Sequence, residues 1–151
     1  MGEIDRIRDQ LGRSFQGNAW HGPAVLEVLE GVTAEQAAAR PIADAHSIWE
    51  ITLHMATWKS VVARRVRGEV VGDIPDEENF PPAGQGAKEW SAAIDRLRAA
   101  HAELVAALGT LREEQLDEPP YAKASTRYVQ LHGAIQHDLY HAGQIAVLKK
   151  G

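Results

Sequence analysis

With 151 residues, no cysteine and a formal net charge of −5 at pH 7, the sequence is that of an acidic chain long enough for one folded domain over residues 1–151. The lack of cysteine excludes disulfides, thiolate metal ligands and a cysteine nucleophile, and the negative charge argues against a nucleic acid partner. The N-terminal stretch MGEIDRIRDQ is too polar for a signal peptide and no apolar run reaches the length of a membrane span, so we expect a cytoplasmic protein with no membrane partner.

Apolar residues at helical spacing predict a first helical arm that extends from the N-terminus to Gly31 and is interrupted near Gly22–Pro23. The series before and after the segment GNAWHGP comprises Ile4, Ile7, Leu11, Phe15, Val25, Leu26 and Leu29. Pro23 suits the first position of the resumed helix, and Gly31 suits its end. The following TAEQ, residues 33–36, has the sequence of a capping box and predicts a short turn of helix.

The second predicted helix begins at another capping box, SIWE at residues 47–50, and runs to about residue 67. Its inner face consists of Ile48, Ile51, Met55, Val62 and Val66. Residues 68–87 are rich in proline, glycine and acidic side chains without a helical period, which predicts a long crossover loop. Because such a loop can carry the chain back to the other end of a bundle, helices two and three are expected to run parallel.

Two further helices complete the predicted fold. The third spans about residues 88–108, where apolar side chains recur at steps of three and four, and it ends before Gly109. The fourth spans about residues 126–149 and ends in two lysines, which suit a helix C-terminus. No strand-like alternation occurs, so the sequence predicts an all-α fold, a four-helix bundle in which helix four runs antiparallel to helix two.

The segment HDLYHAGQI, residues 137–145, places two histidines one turn apart on a helix that otherwise has the pattern of a buried element. In the antiparallel arrangement, His54 of helix two reaches nearly the level of His137 and His141. Three such imidazoles can hold one divalent ion and leave a coordination position open for water or a thiol. The HxxxH spacing alone is a weak motif, and buried imidazoles hydrogen-bonded to Asp138 or Gln144 are the alternative.

Three segments, NAWHGP, AHSIWEITLHMATW and LHGAIQHDLYHAGQIAVLKK, resemble the DinB-like (DinB/YfiT) family of small bacterial proteins, over essentially the whole chain. The resemblance implies an up-down-down-up four-helix bundle with a long crossover and a divalent metal held by three histidines, which here are His54, His137 and His141. Similar proteins are often homodimers, and several act as metal-dependent S-transferases that use a low-molecular-weight thiol such as bacillithiol or mycothiol. The shared motifs identify no separate catalytic base, so the catalytic residues stay unassigned.

Six further side chains are predicted to lie near the histidines, in a candidate pocket: Trp20, His21, Glu50, Trp58, Asp138 and Gln144. Glu50 and Trp58 lie one turn before and one turn after His54, although capping and aromatic packing explain them equally well. Trp20 and His21 reach the axial level of His54 if helices one and two are antiparallel. A helix break is the alternative explanation for a polar residue at His21. Asp138 and Gln144 are candidates to orient the imidazoles through hydrogen bonds.

The leading functional hypothesis is a metal-dependent enzyme in which the ion activates a thiol or water for attack on a small electrophilic substrate. A thiol would come from a small cosubstrate, because the chain has no cysteine. Zinc or nickel is expected, with iron or manganese as alternatives, since three imidazoles suit many divalent metals. Two other classes stay open: a non-catalytic metal- or ligand-binding stress-response protein, and a metal-free helical interaction protein.

Overall fold

A computed structural model describes residues 1–151 and contains seven α-helices, one 3-10 helix and no strand. The four long helices are α1 (Glu3–Phe15), α4 (Ile48–Val66), α6 (Gly86–Leu108) and α7 (Arg127–Leu148). The short ones are α2 (Val25–Leu29), α3 (Ala34–Ala38), α5 (Asp76–Asn79) and the 3-10 helix Glu113–Asp117. The all-α prediction is confirmed. None of the helices combines the length and the hydrophobicity that crossing a membrane requires.

The predicted first arm is two separate helices, α1 and α2, joined by a turning segment. Asn18 has a φ of 67° and Gly22 a φ of 141°, so the backbone enters the left-handed region twice between the helices. Pro23 precedes the N-cap residue Ala24, rather than occupying the first helical position as predicted. Gly31, with a φ of 76°, follows the end of α2 and stops the helix as expected.

Both predicted capping boxes form. Thr33 Oγ1 accepts from the Gln36 amide at 3.2 Å, and Gln36 Oε1 accepts from the Thr33 amide at 3.1 Å. Ser47 Oγ accepts from the Glu50 amide at 3.2 Å, and Glu50 Oε1 accepts from the Ser47 amide at 3.1 Å. These reciprocal bonds satisfy amides that have no partner within their helix. The second box fixes the start of α4 and therefore the level of His54, about two turns along.

Two apolar clusters fill the space between the long helices, where α4 packs against α6 and α7. The larger cluster includes Phe15, Trp49, Met55, Trp90, Leu97 and Ile145. The smaller one includes Ile7, Leu11, Val62, Leu104 and Leu131. Between them lies a group of buried polar residues, one from each long helix, that we call the polar layer: Ser14, Lys59, His101 and Asp138. Along each long helix, its member of the polar layer separates the residues of one cluster from those of the other.

The predicted crossover is a long connection between α4 and α6, but it contains the one-turn helix α5. The expectation that this segment has no helix is therefore wrong, because a single turn is too short to show an apolar period. Thr57 Oγ1 of α4 donates to the carbonyl oxygen of Glu78 at 3.0 Å, which ties α5 to α4. The crossover therefore covers α4 at the level of His54 rather than extending into solvent.

Candidate metal centre

Three imidazoles converge where α4 and α7 meet. His54 Nε2 lies 3.0 Å from His137 Nε2, and His141 Nε2 lies 3.0 Å from the same His137 nitrogen. One nitrogen from each ring lies within 4.8 Å of the others. His54 and His141 are each 5% exposed, so the group is shielded from solvent on most sides. The structure thus brings together the three histidines predicted as ligands, and they could hold one metal ion.

Hydrogen bonds on the outer nitrogens orient two of the three rings. His54 Nδ1–H donates to the carbonyl oxygen of Asn79 at 2.7 Å. His141 Nδ1–H donates to Gln144 Oε1, also at 2.7 Å. Because a neutral imidazole carries one hydrogen, each of these rings turns an unprotonated Nε2 toward the centre. That tautomer, held by an outer acceptor, is the form in which histidine binds metals.

The inner nitrogens supply more lone pairs than the available hydrogens can satisfy. His137 Nε2 can donate one hydrogen, to either His54 or His141, and the remaining contact at 3.0 Å then joins two lone pairs. A divalent cation would accept all three lone pairs at once, and imidazole nitrogen is a preferred donor for zinc and its neighbours. The donor chemistry of the cluster therefore fits a metal ion.

Burial keeps these imidazoles neutral. Loss of hydration, with a smaller contribution from neighbouring histidines, lowers the pKa of His54 to about 4 and that of His137 to about 3. Burial also lowers the pKa of His141. Only the neutral ring binds a metal, and here protons do not compete for the nitrogens near neutral pH.

A substitution of Gln144 tests most directly how the outer hydrogen bonds affect the metal affinity of this centre. Gln144→Leu removes the acceptor of His141 Nδ1–H, so the ring loses its fixed orientation, and we expect zinc or nickel affinity to fall by about 10–100-fold. Isothermal titration calorimetry measures the change. Gln136→Leu, the same substitution at an exposed site on α7, serves as the control and should bind as the wild type does. Equal affinities for the two variants would show that Gln144 does not support the ligand.

A turn of the crossover closes one side of the centre. Asn79 accepts from His54 through its carbonyl oxygen, and its Oδ1 accepts from Trp58 Nε1 at 2.7 Å. Phe80 stacks on His54 with ring centroids 3.9 Å apart, and its other face stacks on His46 at 3.7 Å. No sequence pattern pointed to Asn79 or Phe80, because α5 is too short to show an apolar period and meets α4 only in three dimensions.

Two cavities open beside the histidines. The first, which we call the apolar cavity, has a volume of about 540 Å³ and is lined mainly by hydrophobic side chains, with His46, His141 and Gln144 among its polar ones. The second, the Arg65 cavity, measures about 290 Å³ and is lined by Trp58, Arg65, Gln130 and His137 among others. One candidate ligand therefore faces each cavity, so the centre is accessible from two sides.

The structure brings two of the six predicted pocket residues, Trp58 and Gln144, to the histidines. Trp58 lies with its ring centroid 6.4 Å from that of His137 and lines the Arg65 cavity. Trp20 and His21 line neither cavity and are exposed, because the left-handed turn at Asn18 interrupts the helix that would have carried them inward. Their predicted proximity assumed a first arm that is helical up to the interruption near Gly22–Pro23, whereas α1 ends at Phe15.

Glu50 is buried, but its carboxylate is already engaged. Oε1 accepts from Arg40 and from the Ser47 amide, and Oε2 contacts His46 Nδ1 at 3.0 Å. Burial raises the pKa of Glu50, but the hydrogen bonds from His46 and Ser47 lower it more, so the carboxylate is ionised at neutral pH. The contacts of Glu50 match the predicted capping role and assign neither oxygen to the histidine cluster.

Asp138 contacts the polar layer rather than the histidine cluster. Its Oδ2 accepts from Lys59 Nζ at 2.8 Å and lies 3.1 Å from Ser14 Oγ. Neighbouring residues on a helix point about 100° apart, so Asp138 cannot share the direction of the preceding His137. The burial of Lys59 was not predicted, although a lysine within the apolar face of α4 indicates that a buried partner of opposite charge is present.

Comparisons with known proteins identify the family and the fold of the chain. The DinB superfamily matches residues 18–145 of the chain. The chain is also similar to a solved structure described as "Crystal structure of the conserved protein of locus from Enterococcus faecalis", with a TM-score of 0.75 and 20% sequence identity, over 99% of this chain and 96% of that one. At that identity the likeness shows a shared fold. No curated protein matches the chain.

Proposed function

Because the chain belongs to the DinB superfamily, we propose that it is a divalent-metal-dependent enzyme that joins a small nucleophile to a small electrophilic substrate. The leading form is an S-transferase that uses a low-molecular-weight thiol, and hydrolysis, with water as the nucleophile, is the close alternative. The observation that carries the proposal is the convergence of three inner imidazole nitrogens with too few hydrogens to satisfy one another.

His54, His137 and His141 would hold the ion, with zinc or nickel expected and iron or manganese as alternatives. When bound, the ion supplies a Lewis acid that lowers the pKa of a thiol or of water. The chain itself keeps the imidazoles neutral through burial, orients two of them through Asn79 and Gln144, and places them between two cavities. These are the features that an accessible metal centre needs.

The two cavities favour transfer over hydrolysis. A transferase has to bind a thiol and an electrophile together, whereas a hydrolase needs room for one substrate and water. The apolar cavity, with His46 and Gln144 among its lining, suits the thiol, and the Arg65 cavity, with Trp58 and Arg65, suits an aromatic electrophile that carries an anionic leaving group. Each cavity presents one candidate ligand, so both substrates would approach the same centre.

We further propose that residues 1–151 form one four-helix bundle of up-down-down-up topology. Helices α4 and α6 are in contact through the pairs Trp49–Trp90 and Lys59–His101. Helices α4 and α7 are in contact through His54–His141 and Val66–Arg127. Helices α1 and α7 are in contact through Glu3–His132 and Ser14–Asp138. Residue numbers rise together in the first and third sets and run in opposite order in the second. Parallel α4 and α6, with α1 and α7 antiparallel to them, account for all three sets.

We also propose a cytoplasmic homodimer, as the family resemblance implies. α7 exposes Val129, Tyr140 and Val147, which recur at spacings of eleven and seven residues and therefore share one side of the helix. Because Tyr140 and Val147 line the apolar cavity and Val129 lines the Arg65 cavity, a second copy of the chain packed on this side would form an outer wall of both cavities.

An assay with two chemical probes tests the proposed function. Zinc- or nickel-loaded protein is mixed either with 1-chloro-2,4-dinitrobenzene and N-acetylcysteine, which report conjugation, or with 4-nitrophenyl acetate, which reports hydrolysis. We expect conjugation above the uncatalysed rate, proportional to protein concentration, abolished by a chelator and restored by metal. His141→Ala should lose the activity, and His132→Ala, outside both cavities, should keep it. Bound metal without turnover of either probe would favour the non-catalytic binding protein instead.

A further inference from the structure

A histidine–carboxylate pair opens into the apolar cavity, separate from the three candidate ligands. His46 Nδ1 lies 3.0 Å from Glu50 Oε2. Glu50 is 8% exposed, whereas the His46 side chain is 45% exposed and lines the apolar cavity. The capping box at the start of α4 builds this pair, because Glu50 bonds the Ser47 amide with one oxygen and reaches His46 with the other.

The partners of Glu50 determine which nitrogen of His46 carries the hydrogen. Oε1 accepts from Arg40 at 2.6 Å and from Ser47 at 3.1 Å, so the carboxylate is held from two sides. An ionised carboxylate can only accept, so the hydrogen in its contact with His46 must be on Nδ1. His46 Nε2 then carries a lone pair, and the contact with Glu50 through Nδ1 is the hydrogen bond that this ring makes within the protein.

Phe80 fixes the plane of the His46 ring and its distance from the centre. The rings of Phe80 and His46 stack at 3.7 Å with an interplanar angle of 6°, and those of Phe80 and His54 stack at 3.9 Å with an angle of 3°. A single phenyl ring therefore separates His46 from a candidate metal ligand. His46 also shares the apolar cavity with His141, so a molecule in that cavity can contact both residues.

We propose that His46 is a catalytic base for the reaction at this centre and that Glu50 is its positioning residue, an inference that rests on the proposed function. In the thiol reaction the S–H bond breaks, the proton moves to His46 Nε2, and the sulfur electron pair forms the bond to the electrophilic carbon. The leaving group departs with its bonding pair, and the imidazolium later returns the proton to water. Glu50 holds the required tautomer and stabilises the positive ring.

Two substitutions separate this role from a structural one. His46→Asn keeps an N–H near the Nδ1 position for Glu50 but removes the accepting Nε2. Glu50→Gln keeps an oxygen at the position held by Arg40 and Ser47, so its amide nitrogen faces His46. Because that NH₂ group donates, His46 Nδ1 must accept and the ring hydrogen moves to Nε2. His132→Asn, outside both cavities, is the matched control.

Nitrogen-15 NMR of the zinc-loaded protein reports the tautomer without any turnover. We expect His46 to carry its hydrogen on Nδ1 in the wild type and on Nε2 in Glu50→Gln. An Nε2–H tautomer of His46 in the wild type would overturn the inference. If the wild type fails to bind metal or to turn over the probes, the proposed function fails and the proposal for His46 fails with it. Metal binding and turnover together with an Nε2–H tautomer of His46 would overturn the proposal for His46 alone.

Kinetics with 1-chloro-2,4-dinitrobenzene and N-acetylcysteine provide the second readout. We expect kcat to fall by about 10²–10⁴-fold in His46→Asn and by a similar factor in Glu50→Gln, with metal content and KM unchanged. His132→Asn should keep the wild-type kcat. If His46→Asn binds metal and keeps the wild-type kcat, then His46 is not the base.

Discussion

Replacing His54 and His137 together with alanine is expected to abolish metal binding. Protein purified without an affinity tag or chelator should hold one divalent ion per chain, and the double variant should hold none, because His141 alone cannot retain the ion against water. Elemental analysis of both proteins gives the stoichiometry. The control His21→Ala/His132→Ala removes the same number of histidines outside both cavities and should keep the ion.

Thermal unfolding provides an independent readout of the same prediction. Free metal at about a hundred times its dissociation constant stabilises the native state by about 2.7 kcal/mol, provided that it binds only the folded chain. For a chain of this size that raises the Tm by about 5–10 °C in the wild type. The Tm of the double variant should not change. An equal rise in both proteins, or none in either, would show that these imidazoles are not ligands and are core residues instead.

The second large effect is expected in the polar layer, on stability. Lys59 and Asp138 are 2% and 1% exposed in their side chains, and their Nζ and Oδ2 atoms lie 2.8 Å apart. Burial lowers the pKa of Lys59 and raises that of Asp138, and the attraction between the two charges opposes both shifts. Lys59→Met leaves a carboxylate buried without its partner, so we expect the free energy of unfolding to fall by about 3–5 kcal/mol.

Urea unfolding with a chelator present measures this loss without any contribution from metal. The double variant Lys59→Met/Asp138→Leu removes both charges, and we expect it to recover most of the loss, because apolar side chains can replace a buried pair. Arg64→Met is the surface control: it breaks the Arg64–Glu69 contact of 2.6 Å between side chains that are about half exposed, and it should lower the free energy of unfolding far less than Lys59→Met does, because solvent screens exposed charges. Similar losses in Lys59→Met and the control would contradict the prediction.

The long helices could be predicted because their signals are local. The box at Ser47 and Glu50 and the apolar series ending at Val66 define α4 without reference to any other part of the chain. The first arm was predicted only in part, for a related reason: the interruption at Gly22–Pro23 is present, but the break begins earlier, where α1 ends at Phe15. An apolar series records which side chains face the core, but not the backbone between them, and a left-handed turn at Asn18 leaves that series intact.

The candidate centre was predictable only in part. The spacing of His137 and His141 is visible along α7, and the level of His54 follows once the helices are arranged. Asn79 contacts His54 at a separation of 25 residues along the chain, from the far end of the crossover helix α5, so no local pattern indicates this contact. The contacts of His46 could not be predicted either. They depend on which oxygen of Glu50 the capping box leaves available and on the ring of Phe80, which follows α5 in the crossover.

The polar layer also bears on which packing of the helices the sequence can adopt. A slip of α7 by one turn along α4, about 5.4 Å, would move Asp138 away from Lys59 and carry a charge into one of the apolar clusters. An apolar pair at the same positions would impose no such penalty. We infer that the buried charges of Lys59 and Asp138 select one helix register at some cost in the free energy of folding. That register is the one that brings His137 and His141 to the level of His54. A variant with apolar side chains in place of Lys59 and Asp138 could therefore be more stable and yet bind a metal ion at the three histidines less tightly.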